Sequence, residues 1–533
     1  MKKIEKRYHL SVKKGKKMQP NIVFIMSDDH AARAISAYGS GINNTPNIDR
    51  LSEEGIRLDN VYVTNSICTP SRASILTGTH NHVNGVTTLE TYLDNRWPNV
   101  AKTLSAGGYR TAIFGKWHLG EGKRHEPKGF HEWDILRGQG DYWDPAFINP
   151  KGSRRISGYT TDIITDMSVD FIERHSKQPF FLMCHHKAPH RNWEYHPRYK
   201  DIHKPGKIPL PGTFEDNYNN RAAAASAAKM RIKSDMVYED LGLVQPEGGA
   251  DLAGQRMLNG VSDWYQARKV PELKSGENIT VICAETGENH TFDDPKAFAE
   301  FKYQRYMSRY LRTVQAVDDG VGKILDTLDA QGLSQNTIVI YTSDQGFFLG
   351  EHGWFDKRFM YEESFQMPFL CRYPAAIPAG NASSDIACNV DFAATFLDFA
   401  GLEVPSYMQG VSMRPILEGN TPPDWKQIGY HRYWMHNDDN HEAWAHYGIR
   451  DQRYKLIYWY NDDLGLPGAR PNGAPPEWEL FDCETDPFEL NNLASEPRYS
   501  QKFKEMLTKL DSKMAEIGDI PEHNSKIVIA SLN

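Results

Sequence analysis

Residues 21–29 read NIVFIMSDD, an uninterrupted apolar run that ends in two aspartates. The segment 337–345, TIVIYTSDQ, repeats this pattern and ends in an aspartate and a glutamine. Runs of this length without polar alternation are typical of strands that are buried on both faces, as in parallel sheets. In such sheets, functional groups gather beyond the carboxyl ends of the strands. The two segments therefore predict strands of one central sheet, with four polar residues at their ends: Asp28, Asp29, Asp344 and Gln345.

The chain between and around these segments alternates between strand and helix patterns. Apolar runs recur at 109–115 and 179–184, and helical patterns cover 161–175 and 309–332. This alternation predicts an α/β fold in which helices flank both faces of a large mixed, mostly parallel sheet. The alanine-rich segment 219–236 is also predicted to be helical.

A second pattern begins after a connector at 403–425 that is rich in turn residues. Strand patterns at 446–460 and 477–490 precede an amphipathic helix pattern at 502–518. A chain of 533 residues usually forms more than one domain. We expect three parts: a basic N-terminal tail at 1–19, a larger domain that carries the site at 20–420, and a smaller α+β domain at 421–533.

Charge and cysteine content exclude several classes of function. The chain holds 61 Lys and Arg against 69 Asp and Glu, a formal net charge of −8, which argues against a broad surface for nucleic acid or anionic membranes. No apolar run is long enough to span a bilayer and no export signal is visible, so we expect a cytoplasmic location. Six cysteines without CxxC spacing indicate neither a zinc site nor a disulfide framework.

The segment 68–78, CTPSRASILTG, places a cysteine directly before a predicted helix start. Thr69 suits a helix cap and Pro70 suits the first turn, so Cys68 would lie beside free backbone N–H groups that attract anions. Taken alone, such a cysteine is more often a small apolar filler. The role of Cys68, as an apolar filler or as a functional residue, therefore depends on the pattern in the other segments.

Basic residues near the predicted strand ends complete a pattern. A hard divalent cation takes several oxygen ligands from different segments, which the four polar residues at the strand ends would supply. An anionic ester bound beside that cation would need fixed positive charge on its oxygens and a proton donor for its leaving oxygen. Each basic residue alone is more often a surface or structural group, but together they indicate a site. They are Arg72, Lys116, His118, His190 and Lys357.

These motifs are similar to those of a known family. CTPSRASILTG resembles the sulfatase signature Cys-x-Pro-Ser-Arg followed by Leu-Thr-Gly, in which the cysteine is oxidised after translation to formylglycine. Further matches follow in the family's order: TPNIDRLSEEG, GYRTAIFGKWHLG, FFLMCHHKAPH, TSDQGFFLGEHGWFDKR and ELFDCETDPFELNNLA. Over roughly residues 20–500, the chain resembles the type I formylglycine-dependent sulfatases of the alkaline phosphatase superfamily.

The resemblance implies the alkaline-phosphatase-like sandwich fold and a single divalent cation, most simply Ca²⁺ because every proposed ligand is an oxygen. Many members have Asn where Gln345 stands, and Gln offers an amide oxygen as well. A hydrated aldehyde at residue 68 presents oxygen to the metal, whereas a thiol is a soft ligand. The implied ligands are Asp28, Asp29, Asp344, Gln345 and the modified Cys68.

The resemblance also implies roles in catalysis. One hydroxyl of the formylglycine hydrate at residue 68 attacks sulfur, and the ester oxygen leaves from the opposite side. Stabilisation of the sulfate charge falls to three cations, Arg72, Lys116 and Lys357. His190 protonates the leaving oxygen, and His118 acts as the base when sulfate is expelled or holds the hydrate. A formylglycine-generating maturation enzyme is an implied partner.

The family members that the chain resembles most are bacterial glycan sulfatases. We therefore expect an exo-acting enzyme on a small sulfated substrate, a mono- or oligosaccharide that has entered the cell. Aromatic and polar residues in the C-terminal part suit sugar rings and hydroxyls, although packing at a domain seam is the slightly more frequent explanation for any one of them. These residues are Trp434, His436, Asp438, Asp439, His446 and Tyr447.

Three other functions stay open. An arylsulfatase, or a phosphate or phosphonate ester hydrolase of the same superfamily, would use a nucleophile at the same position. A protein of another class, an inactive binder of sulfated glycans, would keep the fold without turnover. His185 and His186 lie close to His190, and packing at a strand end is as reasonable for them as a role in the reaction.

Overall fold

The computed structural model of the protein describes residues 19–245 and 268–524. Residues 1–18 of the predicted basic tail lie outside the described residues. The described ranges contain nineteen strands: β1 (Asn21–Ser27), β2 (Ile56–Tyr62), β3 (Arg110–Gly115), β4 (Glu132–Leu136), β5 (Ala146–Asn149), β6 (Gly152–Arg155), β7 (Phe180–His185), β8 (Ile279–Ile282), β9 (Asn289–Phe292), β10 (Thr337–Ser343), β11 (Phe348–Leu349), β12 (Phe355–Asp356), β13 (Gln366–Arg372), β14 (Asn381–Ser383), β15 (Ala387–Cys388), β16 (Gly429–Tyr433), β17 (His446–Arg450), β18 (Tyr454–Trp459) and β19 (Glu477–Asp482). The same ranges contain eleven α-helices: α1 (Pro46–Glu53), α2 (Cys68–Thr77), α3 (Asn81–Asn84), α4 (Val100–Ala106), α5 (Thr160–His175), α6 (Ala223–Ala227), α7 (Pro295–Ala330), α8 (Glu362–Phe365), α9 (Phe392–Phe399), α10 (Arg414–Leu417) and α11 (Ser500–Ile517).

Eleven of the described strands form one central sheet, in the order β14-β2-β13-β10-β1-β7-β3-β4-β5-β6, with β15 also paired to β2. β1 pairs in parallel with β10 on one side and with β7 on the other, and β3 and β4 continue the parallel array. β13 runs antiparallel between β10 and β2. The prediction of a large mixed, mostly parallel sheet that joins 21–27 and 337–343 is confirmed.

Helices cover both faces of this sheet, because successive side chains of a strand point to opposite faces. From β1, Ile22, Phe24 and Met26 pack into one core with α2, α4 and α9. Val23 and Ile25 pack into a second core with α1, α5 and the long helix α7. The predicted α/β sandwich is therefore confirmed.

The C-terminal part forms a second, antiparallel sheet in the order β16-β17-β18-β19. On one face, Met506 and Leu510 of α11 pack against Ile449 and Leu456. On the other face, Trp459 joins the first core of the central sheet. The predicted smaller α+β unit is present, and its expected boundary at residue 420 stays a prediction.

The predicted helix over 219–236 is wrong, because only α6 is helical there. After α6, the chain pairs with the segment around Trp354. The carbonyl oxygen of Met230 accepts from the N–H of Phe355 (2.8 Å), and the N–H of Ile232 donates to Gly353 (2.9 Å). These tertiary bonds replace the helical ones, and so local alanine content did not decide the structure.

Two further expectations concern cysteines and membranes. All six cysteines lie in the described ranges, and none of them is joined in a disulfide there. Among the residues that the structure describes, no helix combines the length and apolarity needed to cross a bilayer.

The substitution Gly115→Ala tests the close approach of β3 and β7 just before Lys116. Gly115 has φ of 99°, and an added Cβ would lie 1.9 Å from the carbonyl oxygen of His185. We expect the free energy of unfolding to fall by about 2–5 kcal/mol, because backbone strain and steric overlap add. Thermal unfolding followed by circular dichroism measures the loss.

Gly108→Ala is the matched control for this substitution. Gly108 precedes the same strand with φ of 91°, but no atom lies within 4 Å of its added Cβ. This substitution adds only the backbone strain of a positive φ, which should lower the free energy of unfolding by about 1–2 kcal/mol. If Gly115→Ala and Gly108→Ala lose the same free energy of unfolding, the steric overlap predicted at residue 115 is contradicted.

Candidate active site

The carboxyl ends of β1 and β10 bring four polar side chains together. Asp28, Asp29, Asp344 and Gln345 follow these neighbouring strands directly, and all four are fully buried. The N–H of Asp29 donates to Asp344 Oδ1 (3.2 Å), and Gln345 Nε2 donates to Asp29 Oδ1 (2.5 Å). Parallel pairing in register therefore sets two acidic turns side by side in the protein interior.

Cys68 is the first residue of α2 and is only 1% exposed. Ile67 precedes it without a side-chain cap, so the predicted cap by Thr69 does not form. Burial raises the pKa of the Cys68 thiol to about 11; the charge on Lys357 lowers it by a smaller amount, and the charge on Asp344 adds to the rise. The thiol is thus protonated at neutral pH.

Arg72 lies one turn into α2 and connects three of the segments. Its Nε donates to Asp344 Oδ2 (3.0 Å), and its Nη1 donates to the carbonyl oxygen of Lys116 (2.8 Å). The Arg72 side chain is 2% exposed, so its charge is balanced by a buried carboxylate rather than by water.

Two lysines reach the same carboxylates from other segments. Lys116 follows β3, and its ammonium group donates to the carboxylate of Asp28 and to the amide oxygen of Gln139. Lys357 Nζ donates to Asp29 Oδ1 and Oδ2 at 2.5 and 2.7 Å. Burial lowers the pKa of Lys116 well below its ordinary value. Burial opposes the charge on Lys357 too, but the carboxylate of Asp29 raises its pKa overall.

Two of the predicted histidines border this group. His190 Nδ1 donates to the carbonyl oxygen of Arg191 (2.7 Å), which leaves its Nε2 3.8 Å from Asp29 Oδ2. His118 Nδ1 lies 3.2 Å from the hydroxyl of Thr69, the residue after Cys68. Burial and the nearby lysines lower the pKa of His190, so its imidazole is neutral.

The other two histidines of the β7 segment differ in their contacts. His185 Nδ1 lies 3.2 Å from the carbonyl oxygen of Lys116 and 3.5 Å from Arg72 Nη1. His186 is fully buried and contacts the sulfur of Cys184 at 3.6 Å. His185 therefore supports the site through Arg72, whereas His186 packs within the fold.

The donor set fits a hard cation. Asp28, Asp29 and His190 each offer a ligand atom within 4.8 Å of the others. Asp28 Oδ1 and Gln345 Oε1 are buried without a hydrogen-bond partner. Burial raises the pKa of Asp29 to about 7, although Lys357 opposes this rise. Buried carboxylate oxygens that lack donors are costly, and a cation would remove that cost.

A second buried polar group adjoins Lys357, and we call it the Asp356 cluster: Asp356, Arg358, Asp438 and His441. His441 bridges two carboxylates, with Nε2 3.3 Å from Asp356 and Nδ1 3.0 Å from Asp438. Arg358 lies 3.5 Å from Asp356 and 3.9 Å from Asp438. Of these four residues, only Asp438 was predicted from the sequence as a possible site residue. Asp356 and Arg358 flank Lys357 in the same motif, which was the available signal.

The remaining C-terminal residues proposed to contact sugar have contacts of their own. The Arg432 guanidinium lies 3.7 Å from the ring centroid of Trp434. His436 Nδ1 accepts from a backbone N–H (3.0 Å), and Asp439 pairs with Arg470 at 2.6 Å. Tyr447 packs under α11 and bonds His523 at 2.7 Å. These contacts agree with the domain-seam alternative, a contact with sugar stays a prediction for these four residues, and His446 is considered below.

Comparison with known proteins gives the family. The family model described as Sulfatase matches residues 20–402, and the model for the C-terminal part of N-sulphoglucosamine sulphohydrolase matches 350–516. The chain is 43% identical over 511 residues to an N-acetylglucosamine-6-O-sulfatase of Bacteroides thetaiotaomicron, covering 94% of this chain and 87% of that protein. It is 27% identical to human N-acetylglucosamine-6-sulfatase, covering 76% and 66%.

Solved structures agree with this result. A structure described as a complex with its substrate D-glucosamine-2-N,6-O-disulfate superposes with a TM-score of 0.82 at 41% identity, covering 95% of this chain and 100% of that one. A phosphonate monoester hydrolase from Silicibacter pomeroyi superposes with a TM-score of 0.68 at 19% identity, covering 95% and 97%, which shows a shared fold. The chain that gathers these buried carboxylates and cations beside Cys68 belongs to the sulfatase family and is a sulfuric ester hydrolase.

Proposed function

We propose that the protein removes the 6-O-sulfate of glucosamine-type sugars, as an exo-acting enzyme on a mono- or oligosaccharide. Support for the sugar comes from the similar N-acetylglucosamine-6-O-sulfatase and from the related structure with D-glucosamine-2-N,6-O-disulfate. The observation that carries the proposal is the convergence of three buried cations beside residue 68: Arg72, Lys116 and Lys357.

Cys68 is, in this proposal, the precursor of formylglycine. Its buried thiol is protonated at neutral pH and is therefore a weak nucleophile and a poor match for a hard cation. Formylglycine supplies an oxygen nucleophile at the same position. The proposal therefore requires a maturation enzyme as a partner of the newly made chain.

The proposed cation is one Ca²⁺. Asp28, Asp29, Asp344 and Gln345 would hold it together with the oxygen of residue 68. All four side chains are buried, and Asp28 and Asp29 offer ligand atoms within 4.8 Å of each other. When bound, the cation supplies positive charge against an anionic ester oxygen. His190 Nε2 lies within reach of the same oxygens, but we assign it to proton transfer.

The chain's own side chains then share the remaining tasks. Arg72, Lys116 and Lys357 neutralise the sulfate oxygens from three directions. His190 Nδ1 donates to the carbonyl oxygen of Arg191, so Nε2 of the neutral imidazole is free to take up a proton from water, which an anionic ester bound beside it would favour, and then to pass that proton to the leaving oxygen. His118 lies next to Thr69 and takes a proton from residue 68 during release of sulfate.

The Asp356 cluster is our candidate for the sugar hydroxyls. Carboxylates and a guanidinium group are suited to paired hydrogen bonds with neighbouring hydroxyls. Asp438 Oδ2 is buried without a hydrogen-bond partner, and Arg358 follows Lys357 directly. A sugar whose sulfate contacts Lys357 would therefore place its ring against this cluster.

Sulfate release from a substrate panel tests the proposed function. We expect turnover of glucosamine and N-acetylglucosamine 6-O-sulfates, with Cys68→Ala inactive on every substrate because it cannot be matured. Turnover of aryl sulfates alone would favour an arylsulfatase, and turnover of phosphonate esters alone would favour a hydrolase of that class. Binding of sulfated glycans without any turnover by matured protein would favour an inactive binder.

His190→Ala tests the proton donor. We expect kcat on the sugar 6-O-sulfate to fall by about 10²–10⁴-fold, because an alkoxide leaves poorly without a proton. An activated aryl sulfate should lose far less, since its phenolate leaves unprotonated. His186→Asn, which alters a nearby histidine that contacts Cys184, should keep both rates. If kcat falls equally on the sugar sulfate and on the aryl sulfate, His190 is not the proton donor.

A further inference from the structure

Two buried histidines of the C-terminal sheet face the loops that carry the site. His431 on β16 and His446 on β17 are fully buried, and their rings stack with centroids 5.2 Å apart. The strands are antiparallel, with His431 opposite Gly448 and His446 opposite Tyr433, so the two histidines are diagonal neighbours on one face. His431 belongs to neither the catalytic nor the sugar-binding groups described above, and His446, which the sequence suggested as a sugar contact, is fully buried.

His431 bonds the loop that leads to the nucleophile. Its Nε2 accepts from the N–H of Ser66 (3.1 Å), two residues before Cys68. The next residue on β16, Arg432, donates its N–H to the carbonyl oxygen of Thr64 (2.9 Å). A side chain and a backbone group of β16 therefore fix the segment that ends at Cys68.

His446 bonds the segment that follows Lys357. Its Nε2 accepts from the N–H of Met360 (3.1 Å), while Nδ1 donates to the carbonyl oxygen of Trp444 (2.8 Å) and sets the tautomer. The C-terminal sheet lies close to this segment: a Cβ atom added to Gly448 on β17 would lie only 2.6 Å from the sulfur of Met360. The C-terminal sheet thus contacts the Lys357 segment directly.

A serine pair joins the two loops that these histidines hold. The hydroxyls of Ser66 and Ser364 are 2.6 Å apart, and the hydroxyl of Ser364 accepts from the N–H of Arg358 (3.0 Å). A shift of the Ser66 loop would therefore be transmitted to Arg358 and its neighbour Lys357. The nucleophile and the sulfate-binding lysine are positioned by one connected set of bonds.

We propose that His431 and His446 are positioning residues, which hold the Cys68 loop and the Lys357 segment in mutual register through their Nε2 acceptors. Each accepts from a buried backbone N–H, which would be costly to leave unpaired. The role needs neutral imidazole, and burial lowers the pKa of His446 to about 3 and that of His431 well below its ordinary value. The inference rests on the proposed roles of residue 68 and Lys357.

Replacement of the acceptor tests this role. His431→Leu should lower kcat by about 10- to 100-fold with little change in KM, because residue 68 is misplaced while the sugar contacts remain. His431→Gln should recover most of the rate, since its amide oxygen lies as many bonds from Cβ as Nε2 does. His446→Leu should raise KM as well as lower kcat, because it frees the segment of Lys357 and Arg358.

The control is Tyr430→Phe, which removes a buried hydrogen bond to Asp519 on the face of β16 opposite His431. It should lower the melting temperature as much as the histidine variants do and leave kcat unchanged at 25 °C. Rates are taken per formylglycine at residue 68 and measured on a sugar sulfate and an aryl sulfate. Wild-type protein that fails only on the sugar would refute the proposed substrate and leave this test intact.

Two results would overturn the inference. The first is wild-type kcat in folded His431→Leu, and the second is an equal loss in His431→Leu and His431→Gln, because then the acceptor does not matter. If His431→Leu does not fold, His431→Asn replaces it, since its amide is one carbon too short to reach Ser66. Equal rates for the Asn and Gln variants would contradict the role as well.

Discussion

Buried negative charge at the carboxyl ends of β1 and β10 is the constraint on which the rest of the site depends. Asp28, Asp29 and Asp344 are shielded from water, where an uncompensated carboxylate would be costly. Three cations from other segments balance them: Arg72, Lys116 and Lys357. In their ordinary ionised forms these six groups sum to zero formal charge, so a bound divalent cation would make the site net positive, which is the sign that an anionic sulfate ester requires.

Holding these groups in place requires unfavourable backbone conformations. Four residues in or beside the site have positive φ without being glycine: Asp29, His118, Asp356 and Arg358. Such conformations persist only where the surroundings over-determine them. The central sheet determines Asp29, whereas the segment with Asp356 and Arg358 depends on contacts with the C-terminal sheet. The C-terminal sheet therefore supports the segment with Asp356 and Arg358 as well as packing on the core. This support is the role that we propose for the buried histidines on its inner face.

The amino-acid sequence predicts the structure best where the signal is local. Strands at 21–27 and 337–343 are continuous apolar runs, and parallel pairing then brings their terminal residues together. Contacts between distant segments left no such signal, so Gln139 beside Lys116 and the bond from Ser66 to His431 were not predicted. The helix expected over 219–236 failed for the same reason, because pairing with 353–355 outweighed local propensity. The catalytic roles of His118 and His190 and the domain boundary at 420 stay predictions.

The central claim is that residue 68 acts through oxygen within a balanced, buried set of charges. Its most direct test is peptide mass spectrometry of the segment around residue 68, after expression with a formylglycine-generating enzyme. The account predicts a peptide that is lighter than the cysteine form by the change from thiol to aldehyde, in proportion to the sulfatase activity of the preparation. A fully active preparation in which Cys68 is entirely unmodified would contradict it.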